Sequence, residues 1–212
     1  MVSLLRRTKQ VFIGKHKLCD IMIRNALLLT VNVENKNHEN LHTFCINMEL
    51  DIVIRKANRM DTKKIWDVRI AAIRAQCNRF YEREIIEAWT DDLKGDISDQ
   101  FMAWVESSFY VAMDDVAIVG SGAINLESGQ IDGVFIQPDY MGHGIGRRMM
   151  AHLEGLALST ELTEIFLDST LNAAPFYRKC GFNGEAVSTY PSPRGFTINC
   201  VRMTKSIGRN QC

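Results

Sequence analysis

Three glycines and two arginines in one twelve-residue run carry the clearest chemistry in this 212-residue chain. In Gln137-Pro138-Asp139-Tyr140-Met141-Gly142-His143-Gly144-Ile145-Gly146-Arg147-Arg148, glycines stand at 142, 144 and 146, just before a helical pattern. Glycine tolerates positive φ and lets the main chain pass close to a ligand. A helix starting there aims its first N–H groups and the positive end of its dipole into the turn. Such a turn binds phosphate or pyrophosphate, and Arg147 or Arg148 can add charge-assisted bonds. The spacing excludes two common phosphate binders. The run reads GxGxG rather than GxGxxG, and Arg147 stands where a Walker loop needs glycine. A glycine-rich β–α turn without a ligand is the bland alternative.

The loop must be held by the elements around it. Asp51 to Lys56 (DIVIRK) reads as a strand with Ile52 and Ile54 on one face. Asp61 is placed to cap a helix whose apolar faces are Ile65, Val68, Ala72 and Trp66, Ile70, Ile73. A second helix is expected from Tyr81 to Trp89. Phe109–Met113 and Val116–Asn125 read as a hairpin turned at Asp114-Asp115. Gln130–Ile136 is the next strand, ended by Pro138, and a helix follows from about Ile145 to Leu158. Then come a strand at Glu164–Ser169, a short helix at Ala173–Cys180 stopped by Gly181, and a strand at Phe196–Thr204. The pattern is α/β of the α+β kind: a mixed, mostly antiparallel sheet flanked by helices.

With these elements in order, the chain resembles the GNAT N-acetyltransferase superfamily from Asp51 to Lys205. Met141–Gly146 looks like the family's acyl-CoA pyrophosphate loop, [Q/R]-x-x-G-x-[G/A], with Gly144 and Gly146 on the two small positions. Met141 stands where the family has Gln or Arg, which removes one side-chain contact and leaves the backbone cradle. Ile131–Pro138 (IDGVFIQP) is similar to the family's central strand. Leu171–Phe182 (LNAAPFYRKCGF) resembles its N-x-x-A-x-x-F-Y-x-x-x-G-F segment, with Asn172 and Ala174 closer to Phe176-Tyr177 than in the pattern.

The resemblance implies transfer of an acetyl group from acetyl-CoA to a primary amine by direct attack, without an acyl-enzyme. Acetyl-CoA is then the co-substrate. Its phosphates would lie on Met141, Gly142, His143, Gly144, Ile145, Gly146 and Arg147, and its pantetheine arm along Val134, Phe135 and Ile136. Tyr177 matches the family's general acid. Asn172 matches a position that orients the cofactor or a water, or else it is a helix N-cap. The general base is read from the strand. Gln130, Asp132, Val134 and Ile136 would share one face, and Gln130 stands where some members have Glu. Gln cannot accept a proton, so Asp132 is the candidate base, against a structural role for the same residue. A non-catalytic acyl-CoA-binding or regulatory module is the alternative reading, favoured by Gln130 and Met141. His143 reads as an exposed loop histidine. Trp66, Trp89 and Trp104 read as core, or as walls of the acceptor cleft.

Composition bounds the rest. Lys and Arg total 25, Asp and Glu 25, which excludes a polybasic nucleic-acid binder. The zero hides a division. Residues 1–47 hold seven basic and three acidic side chains, a balance of +4, which leaves −4 for residues 48–212. We therefore expect an N-terminal extension of unassigned role over 1–47 and the acetyltransferase domain over 48–212. Met48 is a candidate initiation site, and residues 26–33 (ALLLTVNV) read as a strand or a helix end. The −4 balance, and the run Asp91, Asp92, Asp96 and Asp99, suit a cationic acceptor or simply a solvated face. Six cysteines without CxxC spacing read as reduced thiols, with no metal site. No apolar run is long enough for a membrane span, so a cytoplasmic location is expected. The expected partner is a small-molecule or peptide amine, with neither nucleic acid nor membrane. A homodimer, common in the family, has no support in the sequence.

Overall fold

The computed structural model describes residues 18–23, 26–35, 38–47, 50–91, 98–192 and 195–208. The chain divides into two compact units, Met1–Leu50 and Asp51–Cys212. In the first, β1 (Leu18–Ile23), β2 (Ala26–Asn35) and β3 (His38–Asn47) form an antiparallel meander in that order. Leu28 of β2 stands opposite Ile21 on one side and Cys45 on the other. Residues 26–33 are thus strand, as their β-branched Thr30, Val31 and Val33 favour. Met48 lies outside the described residues.

The second unit holds two sheets. β4 (Ile52–Lys56), β5 (Phe109–Asp114), β6 (Ala117–Ile124) and β7 (Ile131–Ile136) pair antiparallel in chain order. β8 (Glu164–Thr170), β10 (Thr197–Ser206) and β9 (Val187–Pro191) make the other, with β10 in the middle. The sheets meet where Gln130 and Phe166 form a parallel bridge and the Phe166 N–H donates to Gly129 O at 3.0 Å. Past that bridge β7 and β8 belong to different ladders. Their far halves line a cleft.

Helices cover both faces of the first sheet. α1 (Thr62–Gln76) buries Ile65, Val68, Ala72 and Ile73, and Ala123 of β6 joins Ile65 and Val68 in the core. Its neighbour Gly122 faces the opposite way. A Cβ there would stand 2.8 Å from Met149 of α4 (Ile145–Leu158), so the missing side chain lets that helix approach. α2 (Arg83–Thr90) and α3 (Asp99–Ser108) follow α1, and α5 (Ala174–Lys179) follows β8. Lys205 donates to Glu154 at 2.7 Å and to the Cys180 carbonyl at 2.9 Å, tying β10, α4 and the end of α5 together.

Three local expectations need correction. Asp61 occupies the N-cap of α1 but makes no cap bond. Its carboxylate instead accepts both forks of Arg55, at 2.7 and 2.9 Å, and the Asn58 N–H at 2.9 Å. The Arg55 guanidinium holds Asp61 below the usual carboxylate range. Second, α3 and β9 escaped the sequence reading. α3 buries one residue, Val105, and its cap is Ser98 accepting from Phe101 N–H. β9 is an edge strand exposed along its whole length, without apolar alternation to mark it. Third, the acidic run is not one feature. Asp99 pairs with Arg59 at 2.8 Å, whereas Asp92 and Asp96 lie outside the described residues. None of the described helices is long and apolar enough to cross a membrane.

Candidate active site

The cleft between β7 and β8 has a volume of about 740 Å³ and receives residues from both sheets and from α1, α2, α3 and α5. One end is built by backbone. β7 passes through the 3₁₀ turn Pro138–Tyr140 into the glycine loop, and α4 starts at Ile145. Gly142 has φ +83° and Gly144, the N-cap of α4, has φ +77°. A Cβ at either would meet no atom within 4 Å, so both face open space in which a ligand can lie against the main chain. Ile145 is buried and anchors the helix. Arg147 lines the cleft, as do Met141 and Lys179. Oxygen-rich anions fit this end: first-turn amides, a positive dipole end and flanking cations.

Two members of the loop have a structural part as well. Gly146 is helical, and a Cβ there would press on the Phe176 ring at 3.3 Å, so its smallness serves the packing of α4 on α5. Arg148 turns away and donates to Ile52 O at 2.5 Å, so Arg147 is the arginine of the pair that lines the cleft. His143 is exposed and is not among the cleft-lining residues. Gln76, at the C-terminal end of α1, brings its amide against Met141. Nothing in the sequence joined these two residues, 65 positions apart.

The middle of the cleft holds the titratable groups. β7 carries a bulge: Ile131 pairs with Ile124 and Gly133 with Ala123, which leaves Asp132 as the extra residue. The expected alternation of Gln130, Asp132, Val134 and Ile136 is therefore broken, and Gly133 takes φ +141°. Residues 130 to 136 all line the cleft. Asp132 presents an accessible carboxylate, and Gln130 Nε2 donates to it at 3.2 Å. The cleft walls displace enough bulk water to push Asp132 up to about 6. Gln130, which cannot accept a proton, fixes the orientation of the Asp132 carboxylate.

Tyr177 comes from α5 and is 5% exposed. Burial pushes its phenol up to about 12, partly offset by a hydrogen bond from the Val134 backbone amide. The oxygen accepts that bond and keeps its own proton to donate. Asn172 is not the helix cap, a position held by Ala173. Its Oδ1 accepts from the Cys77 thiol at 3.4 Å, and the side chain lines the cleft. Burial holds Cys77 protonated, at about 11. Tyr81 fixes this corner. Its hydroxyl accepts the Leu171 N–H at 2.9 Å and donates to Asn199 O at 2.6 Å. Cys77, Cys180 and Cys200 are free thiols among the described residues.

The other end is built by side chains. Trp66 packs edge-on to Phe101 at 5.7 Å, Phe101 against Trp104 at 5.8 Å, and Trp104 edge-on to Phe109 at 4.8 Å. Arg69 of α1 sets its guanidinium over Trp66, 4.7 Å from the ring centre, and 5.9 Å from those of Trp89 and Phe135. All three tryptophans line the cleft. Arg69 was not foreseen, because a lone arginine among helix positions carries no sequence signal.

Comparison with known proteins bears on the family and the fold. The family model for the acetyltransferase (GNAT) domain matches residues 77–205. The chain is 32% identical over 90 residues to an IAA acetyltransferase of Azospirillum brasilense, a match covering 39% of this chain and 59% of that relative's length. The fold is similar to that of a GCN5-related N-acetyltransferase from Rhodopseudomonas palustris, with TM-score 0.65, 25% identity, and 73% and 94% of the two chains covered. It is also similar to that of the PaiA N-acetyltransferase of Thermoplasma acidophilum, solved in complex with coenzyme A. There the TM-score is 0.55 at 16% identity, over 74% and 99% of the chains.

Proposed function

The chain belongs to the acetyltransferase (GNAT) family, and from that premise we propose that it moves an acetyl group from acetyl-CoA to a primary amine by direct attack within a ternary complex. The unit Asp51–Cys212, which contains the matched residues, carries the activity in this reading. Acetyl-CoA is the co-substrate. The amides of the Gly142–Gly146 turn and Arg147 would hold its phosphates, with the edge of β7 from Val134 to Ile136 beside the pantetheine arm.

One observation carries the reading. The β7 bulge sets a carboxylate with a pKa of about 6 in the same cleft as a protonated phenol and a phosphate-binding helix start. Asp132 removes a proton from the amine, directly or through water. The amine nitrogen bonds to the carbonyl carbon, the carbon–sulfur bond breaks, and Tyr177 donates toward the departing sulfur. A group near 6 is ionised at neutral pH yet basic enough to help, which is what general base catalysis requires. Tyr177 at about 12 is a weak acid toward a thiolate, whose ordinary pKa is about 8.5. Its contribution is chiefly a hydrogen bond to developing charge.

Thiol release from acetyl-CoA, measured across a panel of amines, tests the proposal. Turnover with kcat/KM rising through a pKa of about 6 is expected, the slope disappearing in Asp132→Asn. Binding of acetyl-CoA without turnover on any amine would instead support a non-catalytic module.

A further inference from the structure

We propose that the acceptor is an aromatic α-amino acid, its carboxylate on Arg69 and its ring against Trp66, Phe101 and Trp104; this deepens the acetyltransferase reading and rests on it. Arg69 is half-buried, and three rings limit where its guanidinium can go. One Nη donates to Trp89 O at 3.4 Å. With five N–H donors in a planar fork, an arginine can hold a main-chain oxygen and a ligand carboxylate together. A fork already oriented by stacking loses little freedom on binding, and its match to carboxylate geometry is bidentate.

The surroundings narrow the rest of the ligand. Trp104 stays 41% exposed although it belongs to the aromatic chain that runs from Trp66 to Phe109. An apolar ring entering the cleft would cover it. The Phe135 ring folds back over Gly133, where a Cβ would stand 3.0 Å from it. Arg69 therefore lies over a ring that reaches the residue next to Asp132. A guanidinium, an apolar wall and a basic carboxylate gather around one stretch of β7. An amine and a carboxylate on the same carbon, beside an aromatic group, match those three in kind. A diamine would set its second cation against Arg69, so the acidic balance of residues 48–212 does not choose the acceptor.

The protein reports on this site by itself. It has three tryptophans, and all of them line the cleft. We would titrate the CoA-saturated protein with L-phenylalanine and with 2-phenylethylamine, following tryptophan emission. The proposal expects phenylalanine to bind about tenfold more tightly or better, as a charge-assisted pair implies. Arg69→Met should erase the difference while keeping the rise in thermal midpoint caused by CoA, and Arg69→Lys should restore part of it. Equal affinities, tighter binding of 2-phenylethylamine, or no response to phenylalanine would overturn the proposal. Those wild-type comparisons stand even where a variant fails to fold. Selective binding of phenylalanine without thiol release would sink the transferase reading and leave the carboxylate assignment intact.

Discussion

The two ends of the cleft are made of different material. At the end proposed for the cofactor the groups facing the cleft are main chain: a turn with φ +83° at Gly142 and +77° at Gly144, and the first amides of α4. At the end proposed for the acceptor they are side chains from α1, α2, α3 and β5, and Arg69 is held among rings from two of them and β7. A backbone site needs a spacing of small residues and a helix start, both written contiguously. A side-chain site needs distant segments brought together. A backbone site needs no particular side chain at Met141, whereas a side-chain site depends on each residue that builds it.

That contrast predicts where substitutions will bite. The largest effect belongs to the boundary between the ends. Asp132→Asn should lower turnover at neutral pH by about 10²–10³-fold, with acetyl-CoA affinity little changed. The same substitution should raise the thermal midpoint slightly at pH 7. In the folded chain the carboxyl sits at about 6, against an ordinary value of 3.8, so folding opposes its ionisation above roughly pH 4. Below that pH the carboxyl is protonated in both states, and the difference should vanish. A fall in midpoint at pH 7 would mark Asp132 as structural. Next, Gly144→Val forces a β-branched residue to φ +77° and fills the cradle. The free loop escapes that conformation, and restoring it on binding costs about 1–3 kcal/mol, or about 10–100-fold in acetyl-CoA affinity, readable by calorimetry. Unchanged affinity would remove the loop from the cofactor site. Smaller still, Tyr177→Phe should cut kcat by about tenfold, the loss of one hydrogen bond to developing charge, at near-constant acetyl-CoA affinity. Equal rates would take Tyr177 out of the mechanism.

The same division explains what could be read in advance. The strand–loop–helix unit from Gln130 to Leu158 and the segment Asn172–Phe182 were legible because each is local and marked by glycine, proline and aromatic residues. Tyr177 and Asp132 were legible as candidates, but the route by which Asp132 reaches the cleft was not. It depends on a bulge at Asp132, and a register shift between β6 and β7 leaves no trace in period-two alternation. α3 and β9 were missed for lack of burial: one helix residue and no strand residue is shielded. Gln130 looked like a lost base, and in the fold it donates to the Asp132 carboxylate. Gln76 against Met141 and Asn172 against Cys77 join residues 65 and 95 positions apart, distances at which a single sequence gives no pairing signal.

Both ends of the cleft must be filled at once if the acetyl group passes directly from thioester to amine. Initial rates measured over a grid of acetyl-CoA and amine concentrations, with an amine that is turned over, test this most directly. The account predicts reciprocal plots that intersect, as a ternary complex requires. Parallel lines, the mark of a ping-pong route through an acetylated enzyme, would contradict it.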